Sequence, residues 1–260
     1  MAVRNFDGTG DYIDLALGNC NLTPTEEFVM AGVIKRGADN SYDGIFSLQD
    51  AAHTPRLAFE ITDGGGATPN TLELNINNGF AAYLPIQTPT PLQITVADGW
   101  IIWVVRCSNT GATPTFSLFE AGAWVHRLAQ LATSVLSGTL SYIRIGRWGN
   151  GTADDINMRL AAMWFARGTG ANVSDATVES WDGATLSTIL GTLPTNKAGW
   201  EFNQAAWSDV VTDASGGGAN STAINGNGTI ITGDDPPSGV YTLGAAGGPA
   251  IPLPVSVPGW

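Results

Sequence analysis

Hydrophobic and polar residues alternate with a period of two along much of the chain. Leu57, Phe59 and Ile61 alternate with Arg56, Ala58, Glu60 and Thr62, and Leu72, Leu74 and Ile76 with Thr71, Glu73, Asn75 and Asn77. Ile13 and Leu15 alternate with Tyr12 and Asp14, and Ile143 and Ile145 with Arg144 and Arg147. Successive side chains on a strand point to opposite sides, so these runs predict strands with one buried face. Asp63-Gly64-Gly65-Gly66 and Thr88-Pro89-Thr90-Pro91 separate them. Asn77-Asn78-Gly79 predicts a tight turn, because Asn and Gly tolerate positive φ. The pattern is that of one antiparallel sheet packed on another.

Three segments break the alternation. Phe28–Ile34, Trp100–Val105 and Leu160–Phe165 are apolar on both faces. A sandwich covers only one face of a strand, so the second face must meet a loop, a helix or another subunit. Ser174 caps a predicted helix through Asp175-Ala176-Thr177-Val178-Glu179-Ser180-Trp181, interrupted by Asp182-Gly183, with a further turn or two over Ala184–Leu190. Beyond Asn203 come a Gly-rich loop at Asp213–Gly218, a short strand at Thr229–Thr232 and a break at Asp234-Asp235-Pro236-Pro237. From Gly244 to Trp260, Pro249, Pro252, Pro254 and Pro258 interleave with Ile251, Leu253, Val255 and Val257. Proline lacks a ladder donor and favours extended geometry, so this predicts an extended apolar tail. It docks either on its own domain or on a neighbour.

The order of these signatures resembles the concanavalin A-like jelly roll in its laminin-G-like form. Phe6–Leu15 looks like the opening hairpin of that family, and Phe28–Lys35 is similar to its second strand. Trp100–Arg106 followed by Phe116–Trp124 resembles its central hairpin. Ile143–Gly146 followed by Met158–Ala166 looks like its closing pair. The resemblance implies an all-β, two-sheet antiparallel jelly-roll sandwich with one short helix and an extended C-terminal tail. The domain would span 1–237, with a core at 1–205 and a returning segment at 206–237, and the tail 238–260. Domains of this kind with Gly/Pro-rich extensions occur in minor tail and other virion proteins of phages. That implies a virion protein made in the host cytoplasm, with other virion proteins or copies of itself as partners. Nine arginines against two lysines agree with a high-GC genome.

Composition narrows the function classes. The net charge of −12 argues against nucleic acid and anionic membranes as partners, since both need clustered Lys and Arg. Met1-Ala2-Val3-Arg4-Asn5 lacks the layout of a secretory signal, so the chain is expected to be used without export or to have had a leader replaced. Cys20 and Cys107 are expected as free thiols.

Catalytic motifs are sparse. The beta-glucanases of the resembled fold carry Glu-x-Asp-x-Glu on one strand. The nearest stretch, Glu73-Leu74-Asn75-Ile76-Asn77, keeps one acid, and one carboxylate cannot supply both proton transfers of glycoside hydrolysis. His53 and His126 are the only imidazoles, and no nucleophile-elbow or zinc motif occurs. The chain is therefore expected not to be an enzyme. A Ser-His-Asp site assembled from distant segments stays open, with glycan hydrolysis as the third reading.

Calcium is the one cofactor to weigh, because Asn150–Asn157 is rich in oxygen donors, with Asp154, Asp155 and Asn157 as ligands; the alternative is a solvated turn. Trp148 with Arg147, Asn150 and Asp154 makes a candidate sugar site, in which the indole stacks on a ring and the polar groups bond its hydroxyls. Trp207, Ile251, Leu253, Val255, Val257 and Trp260 are the candidate assembly contacts. The leading expectation is a non-enzymatic virion structural or decoration protein, with a carbohydrate-binding module for host-surface glycans as the alternative.

Overall fold

The computed structural model describes residues 2–8, 10–38, 43–61, 70, 72–76, 92–109, 111–128, 135–147 and 156–244. Its strands form two antiparallel sheets. The first contains β1 (Ala2–Asp7), β3 (Phe28–Arg36), β7 (Trp100–Cys107), β8 (Thr115–Glu120), β9 (Ala123–Leu128), β11 (Asn157–Arg167), β12 (Lys197–Glu201) and β14 (Thr229–Thr232). They lie in the order β14-β1-β11-β3-β7-β8-β9, with β12 also paired to β11. The second sheet contains β2 (Tyr12–Ala16), β4 (Asp43–Gln49), β5 (Pro55–Ile61), β6 (Leu72–Ile76), β10 (Tyr142–Ile145) and β13 (Ser221–Asn225). Its order is β13-β2-β10-β4-β5-β6.

Aromatic rings join the two inner faces. Trp103 of β7 stacks on Phe46 of β4 at 5.3 Å and meets Phe59 of β5 at 4.8 Å. Gly32 on β3 leaves room for that indole, since a Cβ there would lie 3.0 Å from it. The alternating residues Ile13, Leu15, Leu57, Phe59, Leu72, Leu74, Ile143 and Ile145 all join this core.

The doubly apolar strands belong to the eight-stranded sheet. Their outer residues, among them Val29, Ala31, Val33, Ile102, Val104 and Trp164, form a second apolar cluster. The chain itself covers it, with α1 (Asp175–Glu179), α2 (Leu186–Gly191) and the segment around Tyr241 and Leu243. Trp181 meets Trp164 edge-on at 5.5 Å, and Tyr241 lies parallel to Trp164 at 6.4 Å. Two helices thus stand where one was expected, because Ser174 and Thr185 each cap a separate first turn. In β11 a bulge between Leu160 and Ala162 switches the side-chain parity. Leu160, Met163 and Phe165 therefore reach the core, while Ala162 and Trp164 reach the outer layer.

Two expected pairings are corrected. The opening residues are not a hairpin, since β1 lies in the eight-stranded sheet and β2 in the six-stranded one. Gly8 and Gly10 at positive φ carry the chain across, and Asp11 Oδ2 accepts from Asp7 N at 2.9 Å. The closing strands β10 and β11 are likewise divided between the sheets. The turns expected at 63–66, 77–79 and 88–91 lie outside the described residues.

Asp213 organises the Gly-rich loop, accepting from Gly199 N and Ser215 N through Oδ1 and from Ser215 Oγ through Oδ2. Of the segment expected as tail, 238–244 packs on the domain. Tyr241 Oη donates to Glu201 Oε1 at 2.8 Å, and Gly244 N donates to the same oxygen at 2.8 Å. Residues 245–260 lie outside the described residues. Among the described residues no helix is long and apolar enough to cross a membrane.

Candidate functional site

Alternation sends every second residue of the six-stranded sheet away from the core. In register, Asp14 of β2 pairs with Arg144 of β10, Arg144 with Ser47 of β4, and Ser47 with Ala58 of β5. The same face carries Tyr12, Tyr142, Gln49, Arg56 and Glu60. Its central ion pair is buried although the face is polar, with Asp14 4% and Arg144 7% exposed. Burial of ions demands pairing. Arg144 Nε donates to Asp14 Oδ1 at 2.7 Å, and its terminal nitrogen to Oδ2 at 2.8 Å. This fork keeps the guanidinium above its ordinary pKa, the hydrogen bond to Asp14 outweighing the effect of burial.

Two aromatic positions flank the pair. The Tyr12 ring lies beneath two guanidiniums, Arg144 at 4.2 Å and Arg147 at 5.4 Å. On the other side Tyr142 stacks with His53 at 4.2 Å, and His53 Nδ1 shares a hydrogen bond with Gln49 Oε1 at 3.2 Å. Gln49 Nε2 in turn donates to Ser47 Oγ at 3.2 Å. At the rim Arg56 Nε donates to Asp50 Oδ2 at 3.0 Å. Tyr12, His53, Tyr142 and Arg56 are half-exposed. Half-open rings beside planar hydrogen-bonding groups are suited to stack on, and bond, a polyhydroxyl ring.

Of the expected sugar-site residues, Arg147 belongs to this face, being buried and poised over Tyr12. Gly146, at φ +89°, turns the strand end there, and a Cβ would lie 2.5 Å from the Phe6 ring. Trp148, Asn150, Asp154 and Asp155 lie outside the described residues. Asn157, expected as a calcium ligand, opens β11, and its amide donates to Asp7 O at 3.5 Å. Among the described residues no group of three or more His, Cys, Asp or Glu is placed to hold a metal.

Trp207, expected at an intersubunit contact, is half-buried in its own chain. It stands edge-on to Phe6 at 5.0 Å, with Arg4 over the indole at 5.3 Å. Ile251, Leu253, Val255, Val257 and Trp260 lie outside the described residues. Tyr12, Asp14, Arg144, Tyr142, Gln49 and His53 were not singled out from sequence as a site. Polar alternation placed several of them on an outer face, but nothing local disclosed that β2 and β10 are neighbours.

A second polar cluster lies between β9 and α1. Ser117 Oγ and His126 Nδ1 are 2.7 Å apart, and His126 Nε2 is 3.2 Å from Glu179 Oε1. Arg106 bonds Asp175, and Trp124 Nε1 donates to Asp182 Oδ1 at 3.2 Å. This is a hydroxyl–imidazole–carboxylate line drawn from distant segments. Ser117 is fully buried, so in this conformation the line fastens a helix to the sheet rather than presenting a nucleophile. Cys20 and Cys107 are buried free thiols, and burial pushes the Cys20 thiol up to about 11.

No protein-family profile and no curated protein matches the chain. Solved structures do. A Bacteroides ovatus protein described as carbohydrate-binding superposes with a TM-score of 0.55 at 14% identity, covering 88% of this chain and 59% of that one. The chain thus spans less than two thirds of that relative. The heptameric SAP-like pentraxin of Limulus polyphemus matches at 12% identity, covering 63% of this chain and 75% of that one, with a TM-score of 0.44. The molecule is a concanavalin A-like β-sandwich. The expectation that the chain is not an enzyme is corrected, because the structural neighbours include enzymes. Trypanosoma rangeli sialidase matches at 11% identity over 58% of this chain and 21% of that one, with a TM-score of 0.37. That likeness is one of fold and assigns no reaction to this chain.

Proposed function

We propose that this chain is a carbohydrate-binding adhesion domain whose ligand face is the outer face of the six-stranded sheet. The carrying observation is the pairing of half-open Tyr12 and Tyr142 with the buried Arg144–Asp14 fork between them. Polar side chains locked by mutual hydrogen bonds make a preorganised surface, and an aromatic ring on each side supplies apolar contact for a sugar ring. The fold shared with the Bacteroides ovatus protein described as carbohydrate-binding supports the reading. A glycan array probed with the full chain tests it. Binding that falls in a Tyr12→Ala/Tyr142→Ala variant of unchanged thermal stability is the expected result. No binding to any glycan overturns it.

The narrower setting rests on the chain's composition. Apolar residues spaced by prolines follow a docked anchor at Tyr241–Gly244, and this supports a reading in which the C-terminal residues join the domain to a larger assembly. A bacteriophage virion, with other virion proteins or copies of the chain as partners and host glycans as the target, is the assembly we propose. Mass measurement of the full chain beside a truncation after Gly244 tests the arm. Loss of assembly on truncation is expected, and identical masses overturn it.

A further inference from the structure

We infer that the ligand of this face is an uncharged oligosaccharide long enough to reach from Tyr12 to Tyr142. The inference rests on the glycan-binding reading above and adds the charge and length of the ligand. Charge comes first. The described side chains of the face carry three carboxylates, Asp14, Asp50 and Glu60, and three guanidiniums, Arg56, Arg144 and Arg147. Two of the guanidiniums are engaged by carboxylates in place: Arg144 forks onto Asp14, and Arg56 donates to Asp50 Oδ2 at 3.0 and 2.9 Å. A site built for an anion holds an excess of cationic forks aimed outward. Here two of the three forks are closed by acids, on a molecule whose net charge of −12 repels anions at long range. What such a face offers is planar, paired polar groups and rings, which suit hydroxyls.

Length follows from register. Asp14 and Arg144 are opposite one another on antiparallel strands. Tyr12 lies two residues from Asp14 along β2, and Tyr142 two residues from Arg144 along β10, toward opposite ends of the sheet. At about 3.4 Å per residue the two positions, four residues apart in register, are offset by about 14 Å along the strands. A single sugar ring cannot stack on both; a short oligosaccharide can.

The experiment is titration of the full chain with neutral oligosaccharides of increasing length, with matched uronic-acid and sulfated oligosaccharides, at low and high salt. The expected result is binding of neutral chains that tightens with length until both rings are engaged. Affinity should change less than about twofold up to about 0.5 M salt. Tyr12→Ala and Tyr142→Ala should each weaken the long ligand about tenfold. Tyr12→Phe and Tyr142→Phe should retain binding, separating loss of the platform from loss of the fold. Preference for acidic oligosaccharides with marked salt dependence overturns the charge inference while leaving the glycan-binding reading intact. Equal affinity for one ring and several overturns the length inference. Failure to bind any glycan overturns the reading on which both rest.

Discussion

Trp164 and Arg144 occupy corresponding places, each on an inner strand of its sheet and each turned away from the sandwich core. Trp164 enters an apolar layer closed by Trp181, Tyr241 and two short helices. Arg144 enters a polar layer in which Asp14, Ser47 and Gln49 are buried and bonded to neighbouring side chains. The apolar roof lowers the free energy of the fold by removing hydrocarbon from water. The polar face contributes little by the same route, since desolvating a buried ion pair offsets much of its attraction. A face kept polar where an apolar one would stabilise better is the place to look for a ligand.

The largest test removes the centre of the roof. Trp181→Ala leaves a cavity against Trp164 and is expected to lower unfolding free energy by about 4 kcal/mol in a denaturant titration. A loss below about 1 kcal/mol would mean that the helical layer adds nothing to the sandwich. Next, Asp14→Ala strands the Arg144 guanidinium and is expected to destabilise by about 3 kcal/mol. The double change Asp14→Leu/Arg144→Met should restore most of that stability while abolishing glycan binding. Retained binding would break the contrast between the two faces. Third, Tyr241→Phe removes the donor to Glu201 Oε1 and is expected to destabilise by about 2 kcal/mol. Unchanged stability there would show that the Tyr241 hydroxyl adds nothing to the C-terminal anchor.

The smallest effect concerns acid. Burial pushes Glu26 up, but hydrogen bonds from Thr23 and Arg167 outweigh it and hold the carboxyl below its ordinary range. At Asp50 bonds from Thr54, Arg56 and Ala52 outweigh burial in the same way. A carboxyl lowered by folding stabilises fully above its unfolded pKa of about 4, and the contribution is lost as pH falls through the folded value. Glu26→Gln and Asp50→Asn should therefore each lower stability at neutral pH and flatten its decline below about pH 4. Asp11 has the opposite sign, since burial dominates and raises it, so its contribution improves on acidification. Stability followed against pH in these two variants and in Asp11→Asn separates these cases.

Much of the sandwich was legible. The alternating runs at 57–61, 72–76 and 143–145 all became strands, with Leu57, Phe59, Ile61, Leu72, Leu74, Ile143 and Ile145 inside. The doubly apolar strands announced a covered outer face, but not whether a loop, a helix or another subunit covers it. That cover comes from residues 175–191 and 237–243, which arrive from far along the chain. The site was less legible. Arg147 was singled out for its neighbours in sequence, whereas its partner in space, Tyr12, is supplied by another strand.

What the sequence by itself determined was the local part: period-two burial, the capping hydroxyl of Ser174, and the acidic net charge of the chain. These follow from the chemistry of residues near one another in sequence. Strand order, the division of β1 from β2 and of β10 from β11 between sheets, and the fork between Asp14 and Arg144 were decided by the tertiary structure. A strand's alternation states that one side faces water and the other the core. It carries no label for which strand lies alongside, so a face assembled from four strands exists only once their hydrogen-bond registers are set.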